Sequence, residues 1–215
     1  PGIEYRIVEH KFGLPVAFSS EALREAEAIP DHVLEEEYAG REDFRDMLVV
    51  TIDGETARDF DDAVSLTKLP SGNFILGVHI ADVSHFIPKD SPLDEEARER
   101  GNSIYLPGKT IPMLPEVLSN GICSLQPDQK RFTKSVYITY DEKGNILSRR
   151  YANSVIRSTA RLSYLEADGI LKGHTKGAKR QVIELLRNMD ALSRRIEARR
   201  TELLAQAGVP VERVV

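Results

Sequence analysis

Four aspartates stand close together in the stretch TIDGETARDFDDAV, and their carboxylates are the groups best suited to do chemistry: Asp53, Asp59, Asp61 and Asp62. An apolar run before Asp53 delivers it to the end of a strand, and the chain then loops back toward the other three. Side chains of an extended segment alternate with a period of two, so Asp59 and Asp61 share one side while Asp62 faces the other. With the loop curving back, all four carboxylates are expected to converge on one pocket.

Such a pocket is costly unless cations enter it. At about 4 Å, two like charges repel by roughly 4 kcal/mol at an effective dielectric near 20. Hard oxygen ligands suit Mg²⁺ or Mn²⁺, which would remove this repulsion. Two such ions about 3.5–4 Å apart promote phosphodiester hydrolysis, one by generating hydroxide and the other by stabilising the leaving oxygen. The pattern therefore predicts a catalytic site with two Mg²⁺ or Mn²⁺ ions held by the four aspartates.

Two alternatives to catalysis remain open from the spacing alone. The loop could bind a structural calcium ion, although it lacks the glycine that an EF-hand carries at its sixth position. It could also be a set of solvated carboxylates with no ligand. Glu55, in the same loop, is expected to be exposed and not to bind a metal.

Composition narrows the functional classes. The chain of 215 residues is 41% hydrophobic and carries a net charge of −5, which counts against a simple nucleic-acid-binding module, since these usually carry a basic surplus. No stretch approaches the roughly 20 apolar residues of a membrane helix, so no membrane partner is expected. Cys123 is the only cysteine, which makes a reducing compartment, the cytoplasm, the default and favours a buried thiol with no nucleophilic role.

The elements that must position the aspartates form an α+β pattern, a mixed and largely antiparallel sheet with flanking helices. The predicted strands are Met47–Ile52, Ala63–Leu69, Phe74–Ile80, Phe132–Tyr140 and Ile146–Ile156. The predicted helices are Ser20–Glu27, capped by Ser20, a stretch around Pro30–Glu37, a helix capped by Ser91 and ended by Gly101, and Lys179–Gln206. Residues 1–43 are expected to be a connecting segment on the surface, leading into a catalytic portion over residues 44–215.

Several long stretches of the sequence resemble the ribonuclease II and ribonuclease R family, whose catalytic unit is the RNB domain. The likeness includes the stretch with the four aspartates and covers roughly residues 44–200 in total. FGLPVAFS, Phe12–Ser19, is similar to the connector before the catalytic domain in the ribonuclease R branch, which is therefore the closer one. The other stretches that carry the resemblance are Gly77–Phe86, Arg100–Thr133 and Ser154–Tyr164.

The resemblance implies a processive, hydrolytic 3′-to-5′ exoribonuclease. It would act on the single-stranded 3′ end of RNA, release nucleoside 5′-monophosphates and require Mg²⁺ or Mn²⁺. Asp53 and Asp62 match the family's metal ligands, Asp59 and Asp61 match its remaining acidic positions, and Asp61 would be essential for the chemical step. Tyr105 matches an aromatic residue that packs on a base near the 3′ end. The segment Pro107–Asn120 would form a wall of the RNA channel.

The resemblance also indicates what this sequence lacks. Family members carry RNA-binding barrels on both sides of the catalytic domain, and that domain continues with an arginine-rich segment that contacts phosphates. These parts are expected in the parent protein, so the chain alone is expected to be inactive or very weak. A silent RNB-like RNA-binding domain and a structural metal-binding domain are the competing functions. His79, Asp82 and His85 are not assigned as ligands, and Asp82 is expected to hold loop backbone instead.

Overall fold

The computed structural model describes residues 2–208, so the last part of the predicted catalytic portion, residues 209–215, lies outside it. Helices in chain order are α1 (Ile3–Phe12), α2 (Ser20–Ala28), α3 (Val83–Phe86), α4 (Pro92–Arg100), α5 (Tyr164–Leu171) and α6 (Arg180–Gln206). Strands are β1 (Glu42–Phe44), β2 (Val50–Asp53), β3 (Asp62–Lys68), β4 (Phe74–Ala81), β5 (Ile104–Leu106), β6 (Lys109–Ile111), β7 (Lys130–Tyr140), β8 (Ile146–Arg157) and β9 (Ala160–Ser163).

Seven of these strands form one sheet in the order β1-β8-β7-β4-β3-β2-β9. Its centre is antiparallel, because short turns join β3 to β4 and β7 to β8, where Gly72 and Gly144 adopt positive φ angles of 85° and 83°. The two outermost pairings, β1 with β8 and β2 with β9, are parallel. The predicted α+β class with a mixed, largely antiparallel sheet is confirmed.

Helix α6 covers one face of this sheet. Its buried residues recur every three or four positions, as a helix with one apolar face requires: Val182, Leu185, Leu186 and Leu192. They pack with α5 and with apolar side chains of β2, β3 and β4. The other face carries a second apolar cluster that includes Val49, Phe60 and Ile156. The strand that ends at Asp53 is therefore fixed from both sides.

Residues 1–43 contribute to the core, so the expectation that they only wrap the surface is wrong. Ala22 and Ala26 of α2 are fully buried and pack in a cluster with Leu93 of α4. Residues four positions apart lie on the same face of a helix. Small alanine side chains on that face let α2 pack closely against α4, although α2 has no large buried apolar residue. Strand β1 extends the sheet beside β8, and α1 is a helix that the sequence pattern did not predict.

Local boundaries differ in smaller ways. Ser19 caps α2 in place of the predicted Ser20, because its hydroxyl accepts the amide of Ala22 at 3.2 Å. The helical stretch predicted around Pro30–Glu37 is a single 3₁₀ turn at Glu35–Tyr38. The segment Pro107–Asn120, predicted to form a channel wall, also contributes to the core. Its β6 pairs with β5 in a hairpin, and its Leu114 and Leu118 are buried. Within the described residues no helix is both long and apolar enough to span a bilayer.

His79, which was not assigned as a ligand, is a buried core residue with a hydrogen-bond partner at each ring nitrogen. Its two ring nitrogens lie 3.0 Å from the Ser65 hydroxyl and 2.8 Å from the Ser135 hydroxyl, and burial lowers its pKa to about 4. The neutral ring is thus favoured in the fold, and the stability it contributes is present above the ordinary pKa of 6.5 and lost as the pH falls toward 4.

We expect this loss to reach about 3 kcal/mol across that interval, and His79→Gln to remove it. Urea unfolding at a series of pH values measures the effect as the difference between the two proteins. Parallel stability curves for the two proteins would contradict the assignment.

Candidate functional site

Asp53 lies at the end of β2, where the apolar strand leaves the core. The residue pairs in parallel register with Ser163 of β9 and is half-buried. One of its carboxylate oxygens, Oδ2, is buried and has no hydrogen-bond partner among the described residues. A buried carboxylate oxygen without a partner is costly, so this position is suited to a cation.

The other three aspartates follow the loop back into the sheet. Asp59 is half-buried, whereas Asp61 and Asp62 are exposed. The backbone carbonyl of Asp61 accepts the amide of Ala81 at 2.9 Å, and Asp62 is the first residue of β3. The loop is thus held at its return to the sheet, which places the last two carboxylates at the edge of β3.

Tyr105 reaches this loop from the β5–β6 hairpin. Its hydroxyl donates a hydrogen bond to the Asp59 carboxylate at 3.1 Å, and the side chain is otherwise exposed, at 66%. The ring therefore lies beside the carboxylates with most of its surface open to solvent. The sequence indicated the position of this aromatic residue but not the bond that its hydroxyl makes.

The carboxylates influence one another's ionisation. Desolvation raises the pKa of Asp53, and the charges of Asp62, Asp59 and Asp61 raise it further, while Arg161 opposes them. Desolvation and the charges of Asp59 and Asp62 likewise raise the pKa of Asp61. The four acidic side chains are therefore near enough for their charges to interact.

The four aspartate side chains do not form a metal-binding site with three ligands around one point. Within residues 2–208 no three Asp, Glu, His or Cys side chains are arranged so that they could hold one metal ion. The four carboxylates therefore interact through their charges, but no three of them lie within ligand distance of one ion. The donor set still fits Mg²⁺ or Mn²⁺, because its atoms are hard carboxylate oxygens and one of them is buried without a partner.

Arg161 is a functional candidate that the sequence analysis did not single out. From β9 its guanidinium donates to the carbonyl oxygens of Gly54 and Glu55, at 2.9 and 2.8 Å. It thereby fixes the turn that follows Asp53, and its charge partly offsets the rise in the pKa of that carboxyl. Its location depends on the parallel pairing of β9 with β2, which no local pattern predicts.

The residues that were not assigned as ligands have other partners. Asp82 is buried and accepts hydrogen bonds from Arg41 and Ser84, so the expectation that it holds loop backbone is wrong. His85 lies 3.2 Å from Glu37. Cys123 is buried as predicted, and burial raises the pKa of its thiol to about 12, which keeps it protonated at neutral pH.

Comparison with known proteins identifies the family. The profile of the RNB domain matches residues 41–208, most of the chain. This chain belongs to the RNB domain family. The match begins near the start of β1 and includes every strand of the RNB sheet described above.

The curated relatives of this RNB domain include ribonucleases R. Ribonuclease R of Thermotoga maritima is 49% identical over 166 residues, which is 77% of this chain and 23% of that protein. The chain spans between 21% and 29% of the length of three such relatives. The predicted proximity to the ribonuclease R branch is thereby confirmed.

Solved structures resemble the RNB domain over most of its length. Mycoplasma genitalium RNase R in complex with double-stranded RNA has a TM-score of 0.88 at 33% identity, over 93% of this chain and 36% of that one. The same protein with ribose-methylated single-stranded RNA gives the same score. Yeast Ssd1, a pseudonuclease, has a TM-score of 0.68 at 25% identity over 80% of this chain and 20% of that one.

Proposed function

We propose that this RNB domain hydrolyses RNA from its 3′ end and releases nucleoside 5′-monophosphates with the help of two Mg²⁺ or Mn²⁺ ions. The observation that carries the proposal is the group of four electrostatically coupled aspartates beside an exposed tyrosine. Such a concentration of negative charge repels a phosphate backbone unless cations are present. Membership in a family whose relatives are ribonucleases R adds support.

Each carboxylate has a proposed part. Asp53 and Asp62 hold the cations, and the partnerless oxygen of Asp53 is the first donor. Asp59 completes the donor set. Asp61, which is exposed beside the other carboxylates, takes up the proton that the attacking water loses. When bound, the cations activate that water and stabilise the negative charge on the leaving 3′ oxygen.

The surrounding residues position these groups. Arg161 holds the turn after Asp53 and offsets part of its charge, so the carboxylates can stand close together before a cation arrives. The Tyr105 ring offers its exposed face to a base, and a π face stacks on any base without selecting its identity. Single-stranded RNA with an accessible 3′ end is the substrate that this combination fits.

Two substitutions should separate the contribution of the Tyr105 ring from that of its hydroxyl. Tyr105→Ala removes the stacking surface and is expected to weaken RNA binding by about 5- to 150-fold, the equivalent of about 1–3 kcal/mol. Tyr105→Phe keeps the ring and loses only the bond to Asp59, so RNA affinity should be retained while the rate falls. Fluorescence anisotropy with a labelled oligonucleotide measures the affinity, and single-turnover kinetics measure the rate.

Tyr151→Ala is the matched control for this prediction. Tyr151 is similarly exposed, at 75%, but lies on β8. The Tyr151→Ala variant should bind RNA with the same affinity as the unsubstituted protein. Equal losses for the alanine variants at both positions would show that Tyr105 has no special contact with RNA.

The proposed activity is tested with 5′-labelled single-stranded RNA. Products that shorten stepwise from the 3′ end, together with released 5′-monophosphates, are expected in Mg²⁺ or Mn²⁺ and should disappear in EDTA. RNA blocked at its 3′ terminus is the substrate control. We expect the 215-residue chain to be much slower than a full-length ribonuclease R at equal concentration, since it spans about a quarter of such a protein. Internal cleavage or metal-independent release would refute the proposal.

A silent RNA-binding role is the second candidate, since the fold also resembles a pseudonuclease. The four aspartates argue against it, because a protein that only binds RNA gains nothing from repelling charges beside the phosphates. Metal-independent RNA binding without any hydrolysis, when the assay above is run on the complete protein, would favour this second role.

A further inference from the structure

We propose that Ser124 is a positioning residue for Asp59 and that, by holding this carboxylate in place, it sets the affinity of the site for divalent cations. The inference deepens the proposed function and rests on it. Ser124 is fully buried, and its hydroxyl accepts the amide of Phe60 at 3.0 Å and donates to the carbonyl of Arg58 at 2.8 Å. These are the two peptide groups on either side of Asp59.

Two further bonds tie the same segments together. The amide of Leu125 donates to the carbonyl of Phe60 at 2.9 Å, and the side-chain amide of Gln126 donates to the carbonyl of Arg58 at 3.0 Å. Residues 58–60 belong to no strand, so regular sheet bonds do not fix them. The Ser124–Gln126 segment supplies the missing bonds on both sides of the acidic residue.

Arg131 fixes this segment from beneath. Its side chain is buried, and among the described residues it donates only to carbonyl oxygens, including those of Ser124 at 2.8 Å and Gly121 at 3.2 Å. Gly121 lies in the irregular turn Leu118–Ile122, where its φ and ψ of −106° and −115° are not helical. The guanidinium therefore holds the irregular turn in one conformation and also bonds Ser124, which follows the turn by two residues.

The chemistry gives a reason for such support. Four like charges push the Asp59 loop away from Asp53, and a loop without sheet bonds would yield to this repulsion. Residues that hold a ligand without touching the ion commonly change metal affinity or activity by about 10- to 100-fold. Ser124 touches neither substrate nor cation and would act through the backbone of residues 58–60.

The test compares Ser124→Ala with Ser154→Ala. Ser154 is equally buried, and its hydroxyl bonds to those of Ser135 and Thr133 on β7, away from the Asp59 loop. Titration calorimetry with MnCl₂ on the 215-residue chain measures cation affinity directly, without the need for turnover. In the complete protein, steady-state kinetics separate kcat from KM for RNA.

We expect Ser124→Ala to bind Mn²⁺ about 10- to 100-fold more weakly and to lower kcat at fixed Mn²⁺, with KM for RNA little changed. Ser154→Ala should lose thermal stability but keep its Mn²⁺ affinity. Equal Mn²⁺ affinity in Ser124→Ala and the unsubstituted chain would overturn the inference. Failure of the unsubstituted chain to bind Mn²⁺ would overturn the proposed function and this inference with it.

Gln126→Ala decides the matter if Ser124→Ala does not fold. Gln126 is only partly buried, and Gln126→Ala removes only the side-chain hydrogen bonds to the Arg58 carbonyl and the Ser124 hydroxyl, so the fold should stay intact. A weaker Mn²⁺ affinity with an unchanged melting temperature supports the positioning role. An unchanged affinity contradicts it.

Discussion

Replacing Asp61 with asparagine should slow RNA hydrolysis by roughly 10³-fold or more, about 4 kcal/mol in activation free energy, while RNA binding is retained. Asparagine has nearly the same shape but cannot accept a proton at neutral pH. Asp61 is exposed beside the other carboxylates, so the change removes charge without opening a cavity. Single-turnover cleavage and equilibrium RNA binding, both on the complete protein, give the two numbers.

Glu55→Gln is the matched control, because it removes the same charge from an exposed position in the same loop. Its rate should stay within about twofold of the unsubstituted protein, as for an ordinary surface substitution. If Asp61→Asn keeps its activity, the assignment of the chemical step to Asp61 is wrong. If both variants lose activity equally, the loop needs its total charge and no particular carboxylate.

Replacing Arg41 with alanine should destabilise the fold by about 3–5 kcal/mol, because it leaves the buried Asp82 carboxylate without its main partner. The pair is 2.8 Å apart, with side-chain exposures of 9% for Arg41 and 1% for Asp82. The Arg41 guanidinium also lies 4.0 Å from the centre of the Phe132 ring, so packing is lost as well. For a chain of this length the melting temperature should fall by at least about 6 °C.

The pH dependence gives this prediction a second readout. Desolvation works to raise the pKa of Asp82, but the hydrogen bonds from Arg41 and Ser84, together with the charges of Lys134 and Arg41, outweigh it and hold the pKa below its usual range. A depressed carboxyl pKa gives stability that is present above the unfolded value and lost as the pH falls through the folded one. The gap between the unsubstituted chain and Arg41→Ala should therefore be widest at neutral pH and narrow in acid.

Arg45→Ala is the control for this pair. Arg45 bonds the neighbouring Asp43, whose side chain is 53% exposed, and such surface pairs contribute about 0–1 kcal/mol. A small effect at Arg45 beside a large one at Arg41 would show that burial is the cause. Equal effects would show that the buried pair is not special.

The strands and the acidic loop could be predicted because their determinants are local. Apolar runs mark the strands, and the turns around Gly72 and Gly144 mark hairpins, so the antiparallel centre of the sheet follows from short connections. The location of Asp53 at the end of β2 follows from the same pattern. The roles of the individual aspartates are predictions, and the comparison of Asp61→Asn with Glu55→Gln tests one of them.

Long-range contacts could not be predicted because no local pattern encodes them. Arg161 reaches the turn after Asp53 only because β9 pairs in parallel with β2, more than 100 residues along the chain. Ser124 and Tyr105 likewise meet the Asp59 segment from distant loops. The burial of α2 depends on alanines, whose small side chains give a weak apolar signal.

The four aspartates repel one another, and the residues around them hold the loop that carries them in place. Sheet, arginine and serine contacts oppose the repulsion between carboxylates, as expected of a site that is completed by cations. Stability and activity should therefore respond to different substitutions. We predict that substitutions of Arg41 act on the fold, those of Asp61 on the chemical step, and those of Ser124 on the affinity for cations.

Anomalous diffraction from crystals of this domain grown with Mn²⁺ and a short oligonucleotide examines the cation site without reference to rates. We expect two peaks about 3.5–4 Å apart, coordinated by oxygens of Asp53, Asp59 and Asp62 and by the terminal phosphate of the RNA, with Asp61 beside the attacking water. Mn²⁺ bound elsewhere, or RNA seated with its 3′ end away from these carboxylates, would contradict the proposed nuclease site.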